Sequence, residues 1–373
     1  MGTESLYKSL YVHFPFCETK CNYCDFYSLG RERTKSGDPD QFAQALTREA
    51  KLTENLLAPQ LDTVFFGGGT PSMTPASVIE NALGSILESR ITPYTEWTME
   101  ANPSSITLDS LREYTSLGVN RISMGVQSLR NDHLTMLGRV HNREAALRAL
   151  GFIFEAGISN VSVDLLCGVP GQTLEDLSLA LDELTQFPIT HLSCYLLTLS
   201  KHHKMYSDLP NEETQLEHLL HLDSEMRGRG FSHYEISNFA RTGHEARHNL
   251  NYWKGTSYLG LGPSAHSFDS EKGVRFKNFS SLHKYAESLS KDEFPIEWIE
   301  TLTPDQKRIE SWMLALRLRD GFPETWLDEP RRKSQAKMLM NRGLLQLHPN
   351  KSGFLNLTPR GFALSDQVIS NLV

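Results

Sequence analysis

Cysteine is scarce in this chain. There are five in 373 residues, and three of them fall within eight positions, in CETKCNYC (17–24). The other two, Cys167 and Cys194, stand alone in apolar segments. This is no framework of paired cysteines, and it implies a reducing compartment, the cytoplasm. Long apolar runs are also missing. No stretch approaches the roughly 18 consecutive apolar residues that span a bilayer. The opening MGTESLYKSLYVHFPFC has no apolar core of the signal-peptide kind, which argues against a leader. Nor is there a surplus of positive charge. The net charge is −8, whereas a general nucleic-acid binder presents a basic face. No internal repeat or low-complexity segment stands out. What remains is a hydrophobic content of 39% and a charged content of 22%, ample for a core. The length implies two or three domains at roughly 150 residues each.

Short β-rich runs alternate with apolar residues at helical spacing. The strands predicted are LYVHF (10–14), TVFFG (63–67), WTMEA (97–101), RISMGV (121–126), VSVDLL (161–166) and LSCYLL (192–197). Between them Phe42, Leu46 and Ala50, then Val78, Ala82 and Ile86, recur as on one face of a helix. Leu174, Leu177, Leu181 and Leu184 do the same behind a Thr173-to-Asp176 capping signal. Such alternation implies parallel strands joined by right-handed crossovers. Six units fall short of a closed barrel of eight, so residues 1 to about 200 predict an open, partial (β/α)6 TIM-like barrel. From 301 onward the pattern is helix, helix, a Gly-turn hairpin and a closing helix, a winged-helix-like α+β arrangement. Its eleven Lys/Arg against seven Asp/Glu are a weak basic bias, and packing, with no nucleic-acid partner, is the expected role. The predicted division is 1–240 for the barrel with its cysteine loop, 241–300 for a connecting region, and 301–373 for the last domain. The run 200–213 is expected to be a surface linker.

The unusual residues cluster where strands end. CETKCNYC follows the first strand and Gly67-Gly68-Gly69-Thr70-Pro71 the second; Glu100 closes the third, Gln127 follows the fourth, and Asp164 lies late in the fifth. In (β/α) barrels the loops after the strands converge over the barrel mouth and carry the site. Three thiolates at these spacings suit two metals. Zinc takes four closed ligands, and His13 is an available fourth. An iron–sulfur cluster usually takes four cysteines, and three leave one iron open for another molecule. The spacing alone leaves both open.

C-x3-C-x2-C in this setting resembles the radical S-adenosylmethionine (SAM) family, over residues 8–200. That resemblance implies a [4Fe–4S] cluster on Cys17, Cys21 and Cys24, with SAM on the fourth iron. YVHFPFC, CNYCDF, FFGGGTP, MEANP, RISMGVQS, LGRVHN, VDLLCGVPGQT and HYEISNFA together resemble, more narrowly, the oxygen-independent coproporphyrinogen III oxidase family. By motif position this implies SAM contacts from Tyr11, Tyr23, Gly68, Gly69, Thr70, Glu100, Gln127, Arg139 and Asp164. Two departures weigh against the oxidase activity. The oxidases carry a further cysteine where this chain has Phe26, and an extension ahead of the barrel, whereas here the cysteine motif comes at residue 17.

HNLNYW (248–253) resembles the heme-binding motif of heme chaperones of the HemW type within that family. It implies heme contacts from His248, Asn249, Tyr252 and Trp253, with His248 able to ligate iron. Gly243 argues that His244 and His248 lie in a loop, not as a helical pair. Tyr258, residues 260–266 and Phe268 are expected near the same pocket, with Gly260 and Gly262 allowing close backbone approach. The resemblance implies a heme chaperone that binds cluster, SAM and heme and delivers heme to apo-hemoproteins such as respiratory enzymes. It also implies an electron donor and, at most, peripheral membrane association. The alternative is an oxygen-independent coproporphyrinogen III oxidase; no catalytic residue is assigned.

Overall fold

The computed structural model describes residues 6–373, so the first five residues of the segment read for a leader lie outside it. The chain divides into two compact units, Met1–Val163 with Thr256–Leu302, and Asp164–Gly255 with Thr303–Val373. The six predicted strands are all present in order: Ser9–Phe14, Thr63–Gly68, Glu96–Ala101, Arg121–Gln127, Asn160–Cys167 and His191–Leu196. Helices alternate with them as the apolar spacing requires, and Phe42, Leu46, Ala50, Ala82 and Ile86 are buried.

In the first unit Ser9–Phe14, Thr63–Gly68, Glu96–Ala101 and Arg121–Gln127 pair in parallel, neighbour to neighbour. Ser9–Phe14 is buried along nearly its whole length, as a strand covered on both faces must be. On its other side lies Leu259–Leu261, also parallel, with Leu10 opposite Leu259 and Tyr11 opposite Gly260. That strand was not foreseen, being three residues long and nearly 250 residues away in sequence. Gly260 in this strand and Gly262 just after it do have backbone against them. A Cβ on Gly260 would stand 2.1 Å from the His266 carbonyl oxygen, and one on Gly262 2.4 Å from that of His13. A small antiparallel sheet of His266–Asp269, Val274–Asn278 and Ile296–Thr301 completes the unit.

One carboxyl is buried in this packing. Glu49, on helix Asp38–Thr53, accepts hydrogen bonds from the Gly262 N–H (2.7 Å), the Asn278 amide (2.6 Å) and the Tyr285 hydroxyl (2.5 Å). Burial pushes it up to about 7 in spite of these three donors. The network ties helix Asp38–Thr53 to the segment that supplies Leu259–Leu261.

In the second unit His191–Leu196 pairs antiparallel with Asn238–Ala240, which turns back onto Ser232–Glu235. Thr173 and Asp176 form the predicted capping box of helix Leu174–Leu184; Leu177, Leu181 and Leu184 are buried, while Leu174, in the first turn, is exposed. The run 200–213 is only partly a linker, since Met205 is buried and helix Glu212–Gly228 begins inside it. The C-terminal part has the winged-helix-like order. Helices Pro304–Ala315 and Pro330–Asn341 precede the hairpin Leu345–Leu347/Phe354–Leu357, around a core of Trp312, Phe322, Leu339 and Phe362. A short strand, Phe322–Pro323, adds to the hairpin, and the predicted closing helix is two, Pro359–Ala363 and Ser365–Leu372.

Candidate functional site

The cysteine loop is pinned at both ends, because Phe16–Cys17 pairs in parallel with Leu29–Gly30. The glycine turn after Thr63–Gly68 closes on its start: Gly69 and Thr70 donate their N–H groups to the carbonyls of Phe14 (2.7 Å) and Phe16 (2.8 Å). This seam admits only glycine. A Cβ on Gly69 would lie 2.6 Å from the Phe16 oxygen, and Gly68 has φ +105° with the His13 ring in the place of a side chain. Gly67 sits against Glu100 and Tyr11, and the Gly68 N–H donates to Glu100 Oε2 at 3.1 Å.

From the turn, a chain of hydrogen bonds reaches two of the sulfurs. Thr70 Oγ1 donates to Cys17 Sγ at 3.6 Å and accepts from the Asn102 amide at 2.9 Å. Asn102 Oδ1 accepts from Arg139 at 2.6 Å, and the other arm of that guanidinium donates to Cys21 Sγ at 3.4 Å. Arg139 also donates to the Gly125 carbonyl at 2.7 Å and faces Tyr23. Arg139 also lines a cleft of about 360 Å³, together with Ser104, Asn131, Thr135 and His141 among others. Burial pushes the Cys17 and Cys24 thiols up, opposed at Cys17 by the Thr70 hydrogen bond. Left to themselves these are neutral thiols, and a metal is what turns such thiols into thiolates.

The structure thus brings together Tyr11, Cys17, Cys21, Tyr23, Gly68, Gly69, Thr70, Glu100 and Arg139. Gln127 joins them at the end of its strand with φ +68°, its amide beside Gly125. Phe26 is 69% exposed. His13 is not an available ligand: Nδ1 is bonded to the Tyr11 hydroxyl (3.0 Å) and Nε2 to the Tyr27 carbonyl (2.8 Å). Burial holds its imidazole neutral, with a pKa lowered to about 4.

Asp164 and HNLNYW belong to the second unit. The loop expected around His248 is instead the helix Arg247–Trp253. Gly243 (φ +85°) ends the preceding turn too early to matter, and the Ala246 N–H donates to the Tyr234 hydroxyl at 3.1 Å, fixing where the helix starts. His244 stays outside it. Positions four apart share a helix face, so His248 lies with Tyr252 and Asn249 with Trp253. His248 is 1% exposed, and its Nε2 meets the Tyr252 hydroxyl at 2.8 Å. The Arg317 guanidinium covers the Trp253 ring at 5.8 Å.

Comparison with known proteins places the chain. The Radical SAM superfamily model matches residues 11–184. The chain is 33% identical to "Heme chaperone HemW" of Mycobacterium tuberculosis, across 98% of this chain and 94% of that protein. The chain belongs to the HemW family of radical SAM proteins. It is likewise 31% identical to the Bacillus subtilis HemW, covering 97% of this chain and 98% of that one. Coproporphyrinogen III oxidase (HemN) of Escherichia coli, a radical SAM enzyme, superposes with a TM-score of 0.83 at 22% identity, over 99% of this chain and 91% of that structure. That likeness shows the fold.

Membership in the radical SAM family implies a [4Fe–4S] cluster and SAM, and the HemW-family residues seen here fit both. Among the described residues no three His, Cys, Asp or Glu side chains converge on a single ion position. The donors aimed at Cys17 and Cys21 are of the kind that stabilises thiolate sulfur. Asn102 is the residue that sequence reasoning missed. It joins the Thr70 side of the site to the Arg139 side, and its signal was its place in MEANP, two residues after Glu100.

Proposed function

We propose that this protein is a heme chaperone that holds a [4Fe–4S] cluster on Cys17, Cys21 and Cys24, binds SAM and heme, and passes heme to apo-hemoproteins such as respiratory enzymes. Similarity over nearly the full length, at 33% and 31% identity, to proteins named heme chaperones supports the reading. The HNLNYW helix supports it with a histidine and aromatic faces suited to iron and porphyrin. SAM is assigned to Tyr11, Tyr23, Gly68, Gly69, Thr70, Glu100, Gln127, Arg139 and Asp164. When bound, the cluster supplies the electron that cleaves SAM reductively, and an external donor must replenish it. The chain's own residues bind and orient: Glu100 fixes the glycine turn, Thr70 and Arg139 hold donors on sulfur, and Gly67–Gly69 let the turn pack directly against Glu100, His13 and the Phe16 carbonyl. Heme is assigned to His248, Asn249, Tyr252 and Trp253. His248 Nε2, now 2.8 Å from the Tyr252 hydroxyl, would be the atom to hold a heme iron, and Tyr252 would have to release it.

The test is anaerobic reconstitution with iron and sulfide, followed by a heme titration in the Soret region. A saturable, stoichiometric Soret shift is expected. In His248→Ala the shift should change shape and its midpoint weaken about tenfold, with iron and sulfide content unchanged; an unaltered heme spectrum removes His248 as ligand. A cluster without specific heme binding moves the oxidase reading to first place, to be settled by anaerobic protoporphyrinogen formation from coproporphyrinogen.

The Arg139 contact gives a second expectation. Removing a cation and an N–H donor from a cluster sulfur makes reduction harder. Arg139→Met should therefore lower the cluster potential by on the order of 60 mV, a tenfold change for one electron. A redox titration followed by electron paramagnetic resonance reads it, and an unshifted potential separates Arg139 from the cluster.

A further inference from the structure

The motif LGRVHN (137–142) places Arg139 in the site and leaves His141 without a role. His141 is buried, and its Nε2 lies 3.1 Å from the Val126 carbonyl oxygen. A carbonyl only accepts, so Nε2 carries the hydrogen. Burial, helped by the Arg139 charge, pushes the imidazole down to about 4. It is therefore a fixed neutral donor. Arg139 acts in the same way one residue earlier on the strand, donating to the Gly125 carbonyl at 2.7 Å. One short segment thus fastens two consecutive carbonyls at the end of strand Arg121–Gln127.

The Val126 carbonyl has a second donor, the Ser128 N–H at 2.8 Å. A hydrogen bond across three residues makes a γ-turn centred on Gln127, and φ +68° gives it the rare, strained hand. Gln127 is neither Gly nor Asn, so its own chemistry opposes a left-handed backbone. Contacts from outside must hold it there. The Val126 carbonyl belongs to the peptide plane whose rotation sets the Gln127 φ. Relaxing Gln127 to negative φ turns that carbonyl away from His141 and breaks a bond buried from water. On the other side, the Ser128 hydroxyl accepts the Arg130 N–H at 3.1 Å and steadies the exit from the turn. The Gln127 amide Nε2 then stands 3.0 Å from where a Cβ on Gly125 would be, with Arg139 Nη2 3.3 Å from the same point.

We infer that His141 is a positioning residue for the SAM site: through the Val126 carbonyl it holds the strained Gln127 turn, and so fixes the Gln127 amide beside Arg139. The inference deepens the SAM assignment of Gln127 and Arg139 and rests on it for its functional consequence. The clamp itself is read without SAM.

The experiment uses the full-length protein and two readouts. The first is the urea midpoint. Gln127→Gly removes the strain and should raise the midpoint of the parent by on the order of 0.3 M. In His141→Phe, which keeps a ring but has no N–H, the peptide is free to turn, and adding Gln127→Gly should gain nothing. The second readout is equilibrium dialysis of SAM against anaerobically reconstituted protein. His141→Phe should weaken SAM binding about tenfold, while His141→Gln, whose amide reaches as far as Nε2, should stay within about twofold of the parent. In a Gln127→Ala background His141→Phe should add no further loss, because the side chain it positions is gone. If His141→Phe does not fold, His141→Asn, whose amide falls short of the carbonyl, takes its place. A midpoint gain that is absent from the parent, or that persists without His141, overturns the clamp. SAM affinity indifferent to His141→Phe, or a loss that adds in full to that of Gln127→Ala, overturns the positioning role. If the urea cycle behaves as expected while the cluster-loaded parent binds no SAM, the clamp stands and the SAM assignment falls.

Discussion

Replacing Cys17, Cys21 or Cys24 by Ala abolishes the iron–sulfur chromophore after anaerobic reconstitution and leaves most of the heme affinity in place. The first half follows from ligand count. A cubane held by three cysteines has no spare cysteine to replace a lost one, since Cys167 and Cys194 are buried in the other unit. His13 cannot substitute, since both its ring nitrogens are engaged. The loop itself should survive, because its ends are held by the Leu29–Gly30 pairing and by the backbone bonds to Gly69 and Thr70, none of which uses sulfur. The second half follows because heme is assigned to a helix of the other unit, whose contacts run to Tyr234, Glu235 and Arg317. Iron and sulfide analysis and a Soret titration on the same samples check both. Heme binding that disappears with the cluster, in protein that remains folded, sinks the two-site reading.

Glu49→Ala lowers stability by at least about 3 kcal/mol, because it strands three buried donors that each cost roughly 1–3 kcal/mol when unpaired. These are the Gly262 N–H, the Asn278 amide and the Tyr285 hydroxyl. The damage should be felt first at Leu259–Leu261, whose anchor this is. The same carboxyl gives a pH signature. Its folded pKa is raised to about 7 from an ordinary 4.5, so folding favours the protonated form. Its contribution is fully present below the ordinary carboxylate range and is lost as the pH rises through about 7. Urea midpoints should accordingly fall between pH 5 and 8. Glu235, raised for the same reason, acts in the same direction, so Glu49→Gln should remove part of the slope and not all of it. A midpoint indifferent to pH, or an unaffected Glu49→Ala protein, refutes the account.

Much of the site was legible because its signals are local. A strand followed by C-x3-C-x2-C, by Gly-Gly-Gly or by a carboxylate names a strand end, and in a parallel α/β succession all such ends face one way. Four of those ends, from Ser9–Phe14 to Arg121–Gln127, do meet in the first unit. Asn102 was not legible, since an Asn after a strand reads as a turn residue until Thr70 and Arg139 are seen on either side of it. Nor was the state of His13, whose two hydrogen bonds come from a neighbour on its own strand and from a carbonyl fourteen residues on.

The sequence by itself determined the succession of six βα units, the triad of thiols, the glycine turn and the aromatic-histidine motif, because periodicity and spacing are carried by residues close along the chain. Only the tertiary structure decided which of these touch. The strand Leu259–Leu261 beside Ser9–Phe14, the Glu49 anchor behind it and the helical state of His248 all depend on contacts between distant segments. What settles them is which buried donors and acceptors find partners once water is excluded, and that is a property of packing which no local pattern records.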